Sequence, residues 1–228
     1  MRPAVRELGI PRRATVLGAQ SRLIGSELLL PAFEPRILDD FNKVEKDIPV
    51  SFIGQLSSHH GRRYKLLKKL VEKVPIRLWG FGFQPPRITG VRSLLHRLRY
   101  RPNVLTDRFE GDCWGLQMYD MLARSKISLN VHVDVAGGMV GNIRMFETTG
   151  MGSLLFSEAA PNASDLFRAG QEIVTYSGVE ELVDKIEYYL DHDSERAEIA
   201  RAGQSKTLNT HNTVERGKQI ISIFERYL

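Results

Sequence analysis

The sequence predicts an α/β chain built on a doubly wound parallel sheet with extra helices at its C-terminal end. From residue 50 onward, short apolar runs of strand type alternate with stretches whose apolar residues recur at helical spacing. Two of these strands run into polar or glycine-rich turns that open a helix, the arrangement that places ligands outside the carboxyl ends of parallel strands. The 228 residues contain one cysteine and 26% charged residues, the composition of an ordinary globular chain without a disulfide framework.

Residues 1–49 hold two short apolar runs, 14–17 and 28–30, followed by Pro31, Pro35 and a polar stretch to Pro49. They read as the remnant of a preceding domain and a linker, with the domain proper at 50–228. Residues 50–54 form the first expected strand. Tyr64, Leu67, Leu70, Val71 and Val74 then mark one face of a helix ending before Pro75, and 76–80 is the second strand. Further on, Trp114, Met118, Met121 and Leu122 mark a helix, 127–131 a strand, 143–149 a helix and 153–156 a strand. A short helix near 163–167, a strand at 172–176 and helices near 179–190, 194–203 and 212–227 complete the expected order.

Net charge is +5, and the excess is local. Arg87, Arg92, Arg97, Arg99, Arg101 and Arg108 fall within 22 residues opposed by Asp107 alone. Such a segment is either a solvated face or a contact for an anionic membrane surface or a phosphorylated acceptor. No helix-turn-helix, zinc-finger or RNA-binding aromatic signature accompanies it, so no specific nucleic acid is expected. The lone Cys113, the absence of a membrane-length apolar run and the absence of a signal-peptide core fit a reducing cytosol, with the basic segment at the inner membrane face.

The segment 127–156 carries the chemistry. A strand entering glycines and then a helix leaves unpaired backbone N–H groups and the positive end of the helix dipole aimed at one spot, which favours a phosphate. Gly137, Gly138 and Gly141 allow close approach, while Asn142 and Arg144 add side-chain donors. Glu147, further into the helix, is placed to accept hydrogen bonds from the vicinal hydroxyls of a ribose. The combination reads as a nucleotide diphosphate site. The first strand ends in a second polar turn, with Gly54 and then His59, His60, Arg62 and Arg63, so that two loops could grip one ligand.

Other readings stand beside this one. Glycine-rich loops also serve as plain tight turns, with Glu147 a helix-surface carboxylate next to Arg144. The run 136–141 is a degenerate Gly-x-Gly-x-x-Gly with Glu158 following Gly138 by 20 residues, the spacing of an NAD-dependent oxidoreductase, against which stand the missing first glycine and a Glu147 left without a role. No metal is expected: Asp191-His192-Asp193 falls between two helices, and His59-His60 has no third ligand at a recognisable spacing.

Four stretches carry a resemblance: the opening Val50-Ser-Phe-Ile-Gly-Gln-Leu-Ser-Ser-His-His-Gly-Arg-Arg, the segment from Trp114 to Asp134, the run Asn142-Ile-Arg-Met-Phe-Glu-Thr-Thr-Gly, and Asp165-Leu-Phe with Gly170-Gln-Glu-Ile-Val-Thr-Tyr. In them the chain resembles the C-terminal, donor-binding domain of GT-B glycosyltransferases of the group 1, family 4-like type, in the branch related to spore maturation proteins, over residues 28–228. The resemblance implies a Rossmann-like fold, a nucleotide diphosphate sugar as donor and no cofactor or obligatory metal. It implies that Glu147, the second glutamate of the family's paired motif, binds the donor ribose. Met139 stands where the first glutamate belongs, which leaves the sugar contact to His132 or Asp134. Gln55 and His60 occupy the family's basic pair, so Arg62 and Arg144 become the expected phosphate contacts. Transfer would then rest on His132, Asp134 and Arg144, and donor binding on Gly54, His60, Arg62, Gly137, Gly138, Gly141, Asn142 and Glu147. A GT-B enzyme binds its acceptor in a second domain of similar size, implying an acceptor-domain polypeptide as partner. A module that binds the nucleotide sugar without transferring it is the alternative.

Overall fold

A computed structural model of the chain describes residues 27–41, 43–55, 61–80, 105–132 and 137–228. Six strands form one parallel sheet: β1 Ile48–Ile53, β2 Ile76–Trp79, β3 Phe109–Gly111, β4 Ser125–Asn130, β5 Leu154–Glu158 and β6 Val174–Tyr176. Their spatial order is β3-β2-β1-β4-β5-β6, so the direction of winding reverses between β1 and β4. Such a reversal opens a crevice at the carboxyl ends of the two strands. The predicted fold class is the observed one.

The central strands are buried on both faces because helices cover both sides of the sheet, and their side chains alternate between two cores. Val50, Phe52, Ile127, Leu129, Leu154 and Phe156 face one core, shared with Leu67 and Leu70 of α1 (Gly61–Leu70) and with Leu182 and Ile186 of α5 (Val179–Asp191). Ile53 and Leu155 face the other, a core that also takes in Ile48 at the start of β1 and is shared with Met118 and Leu122 of α2 (Gly115–Arg124) and with Met145 and Phe146 of α3 (Ile143–Gly150). A single helical turn, α4 (Ala163–Leu166), precedes β6.

Three elements depart from the expected pattern. β3 was not anticipated: it has three residues, none buried, and so shows no apolar alternation. α6 runs over Asp193–Thr210, seven residues past its expected end. It packs on α3, α5 and β5 through polar as well as apolar side chains, and Thr149 and Thr207 share a buried hydroxyl bond of 2.6 Å. Contact on several sides erases the single apolar stripe by which a helix end is read. β1 begins at Ile48, two residues before the expected strand, and is paired with Ser125 there.

The segment ahead of β1 is tied to the C-terminal helices. Phe33 is buried, its N–H donates to the His211 carbonyl at 2.8 Å, and its carbonyl accepts from Thr213 at 2.9 Å. Gly150 lies under the Phe33 ring, where a Cβ would meet ring carbons at 2.5 Å. The last helix, α7 (Thr213–Tyr227), is capped by the Asn212 side chain, which accepts from Glu215 N–H at 2.9 Å, and it buries only Arg216. Its Val214, Ile221, Phe224 and Tyr227 form an exposed apolar stripe. No helix among the described residues is long and apolar enough to cross a membrane.

Candidate functional site

The crevice between β1 and β4 is walled by the turn after β1 and by the loop between β4 and α3. Gly54 N–H donates to the Trp79 carbonyl at 3.0 Å, and Gly80, at φ +123°, leaves room for the Gly54 carbonyl where a Cβ would come within 2.0 Å. The ends of β1 and β2 are therefore drawn together. Arg63 shares the buried face of α1 with Leu67 and Leu70. Its guanidinium donates to the Gln55 carbonyl at 2.7 Å and to the Val131 carbonyl at 2.6 Å, crossing from one wall to the other. This cation bridges the crevice from beneath, whereas the expected Arg62 stands at the surface with its side chain 72% exposed.

On the second wall, Asn130 at the end of β4 and Asn142 at the N-cap of α3 exchange two amide bonds of 2.9 and 3.0 Å. The loop is fastened again at Val140, whose N–H and carbonyl both bond the Asn162 side chain at 3.0 and 2.7 Å. Gly137 and Gly138 have φ of +61° and +81° with open space where a Cβ would be, so backbone conformation, not crowding, calls for glycine there. Gly141 also has positive φ, at +133°.

Glu147 is buried behind the crevice. One carboxylate oxygen accepts from the Tyr119 hydroxyl at 3.0 Å, and the other lies 2.8 Å from the Arg144 guanidinium. That second contact is an ion pair without hydrogen-bond alignment, leaving Glu147 Oε2 buried with no hydrogen bond. Arg144 also reaches the Met118 sulfur at 2.6 Å. Burial, reinforced by the adjacent carboxylate, pushes the Tyr119 hydroxyl well above its ordinary range, so it stays a donor. Burial also raises the Cys113 thiol to about 11, against the influence of Arg144, which keeps it protonated and unreactive near neutral pH.

A second carboxylate cluster centres on Glu158. Glu158 ends β5, accepts the His132 backbone N–H at 2.8 Å, sits 3.5 Å from His132 Nδ1 and pairs with Arg62 at 3.0 Å. Burial works to raise its pKa, but the His132 hydrogen bonds and the Arg62 charge outweigh burial and hold it below the usual 4.5.

Two spaces open along the carboxyl ends of the strands. A cleft of about 200 Å³ is lined by Gly54, Gln55, Arg63, Asn130, Asn142 and Arg144. A recess of about 60 Å³ is lined by Arg62, His132, Gly138, Met139, Glu158 and Ala159. The structure thus gathers Gly54, Arg62, His132, Gly138, Asn142 and Arg144 at one strand edge, with Glu147 directly behind Arg144. His60, Asp134 and the arginines from Arg87 to Arg101 lie outside the described residues. Among the described residues no cluster of metal-ligating side chains is present; Asp193 pairs instead with Arg196 and Lys126.

Four residues of the site were not among those expected: Arg63, Asn130, Tyr119 and, in this role, Glu158. The signal for Arg63 was present, since it falls four residues before Leu67 on the apolar stripe. Asn130 and Tyr119 depend on contacts between elements far apart in sequence.

Solved structures with the same fold include HepE of Anabaena in complex with UDP and glucose, at 13% identity and a TM-score of 0.62, covering 88% of this chain and 57% of that one. Sucrose-phosphate synthase from Thermosynechococcus elongatus aligns at 10% identity and a TM-score of 0.62, over 88% of this chain and 52% of that one. The C-terminal domain of the group 1 glycosyl transferase LpcC from Francisella tularensis aligns at 11% identity and 0.51, over 81% of this chain and 96% of that domain. The chain therefore spans little more than half the length of the first two proteins and corresponds in extent to the isolated domain. No curated protein sequence matches it significantly. The profile of the glycosyl transferase-like family matches residues 62–222, and the chain belongs to that family.

Proposed function

We propose that this chain is the donor-binding half of a glycosyltransferase that uses a nucleotide diphosphate sugar. The observation that carries the reading is the buried Glu147–Arg144 pair in the first turns of α3, at the crevice where the strand order reverses. A ribose diol would bond the Glu147 carboxylate, and the diphosphate would take Arg144 and Arg62. Both cations lie near the N-terminal ends of helices, so charge developing on the departing diphosphate meets fixed positive groups without solvent reorganisation. On this reading the sugar contact falls to His132 or Asp134, in the stretch of sequence where the wider family carries the glutamate replaced here by Met139.

The acceptor would be supplied by a second domain or polypeptide. The apolar stripe of α7, exposed among the described residues, supports this, as a face of the kind that marks an interaction surface. The neighbour solved with UDP makes uridine nucleotides the first to test. Calorimetric titration with uridine, guanosine, thymidine and adenosine diphosphates should find one that binds; failure of all four would remove the proposal. A binding module without transfer shares this donor site, and donor turnover in the presence of the acceptor-side partner separates the two.

A further inference from the structure

Glu158 touches both walls of the crevice, although neither wall contains it. It enters from the end of β5, receives His132 from the β4–α3 loop and holds Arg62 from the first turn of α1. The partners differ in freedom: the Arg62 side chain is 72% exposed, while those of Glu158 and His132 are 19% and 8% exposed. Of the three side chains, that of Arg62 is therefore the most accessible to a ligand. Each expected phosphate cation is matched by a carboxylate, Arg144 by Glu147 and Arg62 by Glu158.

We propose that Glu158 is a positioning residue of the donor site that holds Arg62, yields it to an incoming diphosphate, and keeps His132 on the opposite wall throughout. This rests on the nucleotide-sugar reading above. The contest for Arg62 lowers affinity for the free diphosphate. A carboxylate that seats a cation and then competes with the ligand for it favours release of the leaving group after its bond to the sugar is broken. The backbone N–H of His132 remains on Glu158 after Arg62 departs, so the loop keeps its place during the exchange.

The sign of one substitution decides the matter. Glu158→Gln keeps an acceptor for the His132 N–H but removes the charge that competes for Arg62. It should bind the diphosphate about three- to tenfold more tightly than the unaltered chain, the scale of one partly exposed charge contact. In an Arg62→Gln background the same change should leave affinity unaltered, since the contested group is gone. A purely structural role for Glu158 predicts the opposite: a lower unfolding temperature and weaker binding. Titrations use both the nucleoside diphosphate and inorganic pyrophosphate. If the nucleotide fails but pyrophosphate binds and tightens with Glu158→Gln, the donor reading falls and the role of Glu158 stands. If Glu158→Gln weakens binding or leaves it unchanged, if its effect persists without Arg62, or if neither probe binds, the proposal is overturned.

Discussion

Asn130 and Asn142 face each other across the ends of the β4–α3 loop, each amide nitrogen donating to the other's oxygen at 2.9 and 3.0 Å. The pair sets the span of the loop: whatever the intervening glycines do, its two ends stay locked to the sheet edge and to the helix N-cap. Asn142→Ala would leave the buried Asn130 Oδ1 without a donor and its Nδ2 with only a 3.4 Å contact to His132 Nε2, at a cost of about 1 to 3 kcal/mol. Urea denaturation should show this as a lower midpoint with an unchanged slope. Diphosphate affinity should also fall, because the glycines are no longer held at the crevice.

Arg63 and Arg62 are adjacent in sequence and opposite in role. Replacing the buried Arg63 with Met strips donors from the Gln55 and Val131 carbonyls and should destabilise the fold by about 3 kcal/mol, the scale of a lost charged hydrogen-bond set. Arg62→Met should leave stability within about 0.5 kcal/mol, as exposed ion pairs contribute little. Thermal unfolding of the two variants side by side checks the contrast.

Gly203 lets α6 approach the turn before β6, and a Cβ there would stand 2.2 Å from the Glu172 carbonyl oxygen. Because the obstacle is backbone, it cannot rotate away. Gly203→Ala should therefore cost about 1 to 3 kcal/mol despite the better helix propensity of alanine. A stabilising result in denaturant titration would show that α6 does not sit against that turn.

Stability should decline on the acid side from about pH 6.5 because of His211. Burial holds its imidazole below the usual 6.5, and it lies between Phe146 and Phe167 with Nε2 3.0 Å from the Leu166 carbonyl. The folded state keeps the ring neutral while the unfolded chain takes up a proton, so unfolding gains protons as pH falls from about 6.5 toward the lowered folded value. Glu158 and Glu172 are held below 4.5, so their contributions are lost only at lower pH. Unfolding free energies at about pH 7.5 and about pH 5.5 should differ in the unaltered protein and differ less in His211→Gln.

The sheet, its parallel sense and the crevice position were legible because β1 and β5 are mainly apolar runs, β4 carries Ile127 and Leu129 between small polar residues, and polar or glycine-rich turns follow β1 and β4. β3 was not, since an edge strand of three partly exposed residues lacks any pattern. At the site, the sequence located the cationic and glycine-rich positions but not their partners. Periodicity places Arg144 and Glu147 as helix neighbours; it does not show that Glu147 is buried, or that Tyr119 from another helix holds it. Nor could spacing reveal that Glu158, a candidate only for a dinucleotide ribose, takes Arg62 and His132. Such pairings arise from how β5 and α1 come together over almost a hundred residues of chain.

The measurement that bears most directly on the donor-site reading is calorimetric titration of the nucleoside diphosphate bound by the unaltered protein into Glu147→Gln. Loss of a charged hydrogen bond to the ribose, about 1.5 to 3 kcal/mol, should weaken binding roughly tenfold to a hundredfold, while the inorganic pyrophosphate affinity changes far less. Equal nucleotide affinity in the two proteins would contradict the account, because Glu147 would then be only the buried partner of Tyr119 and Arg144.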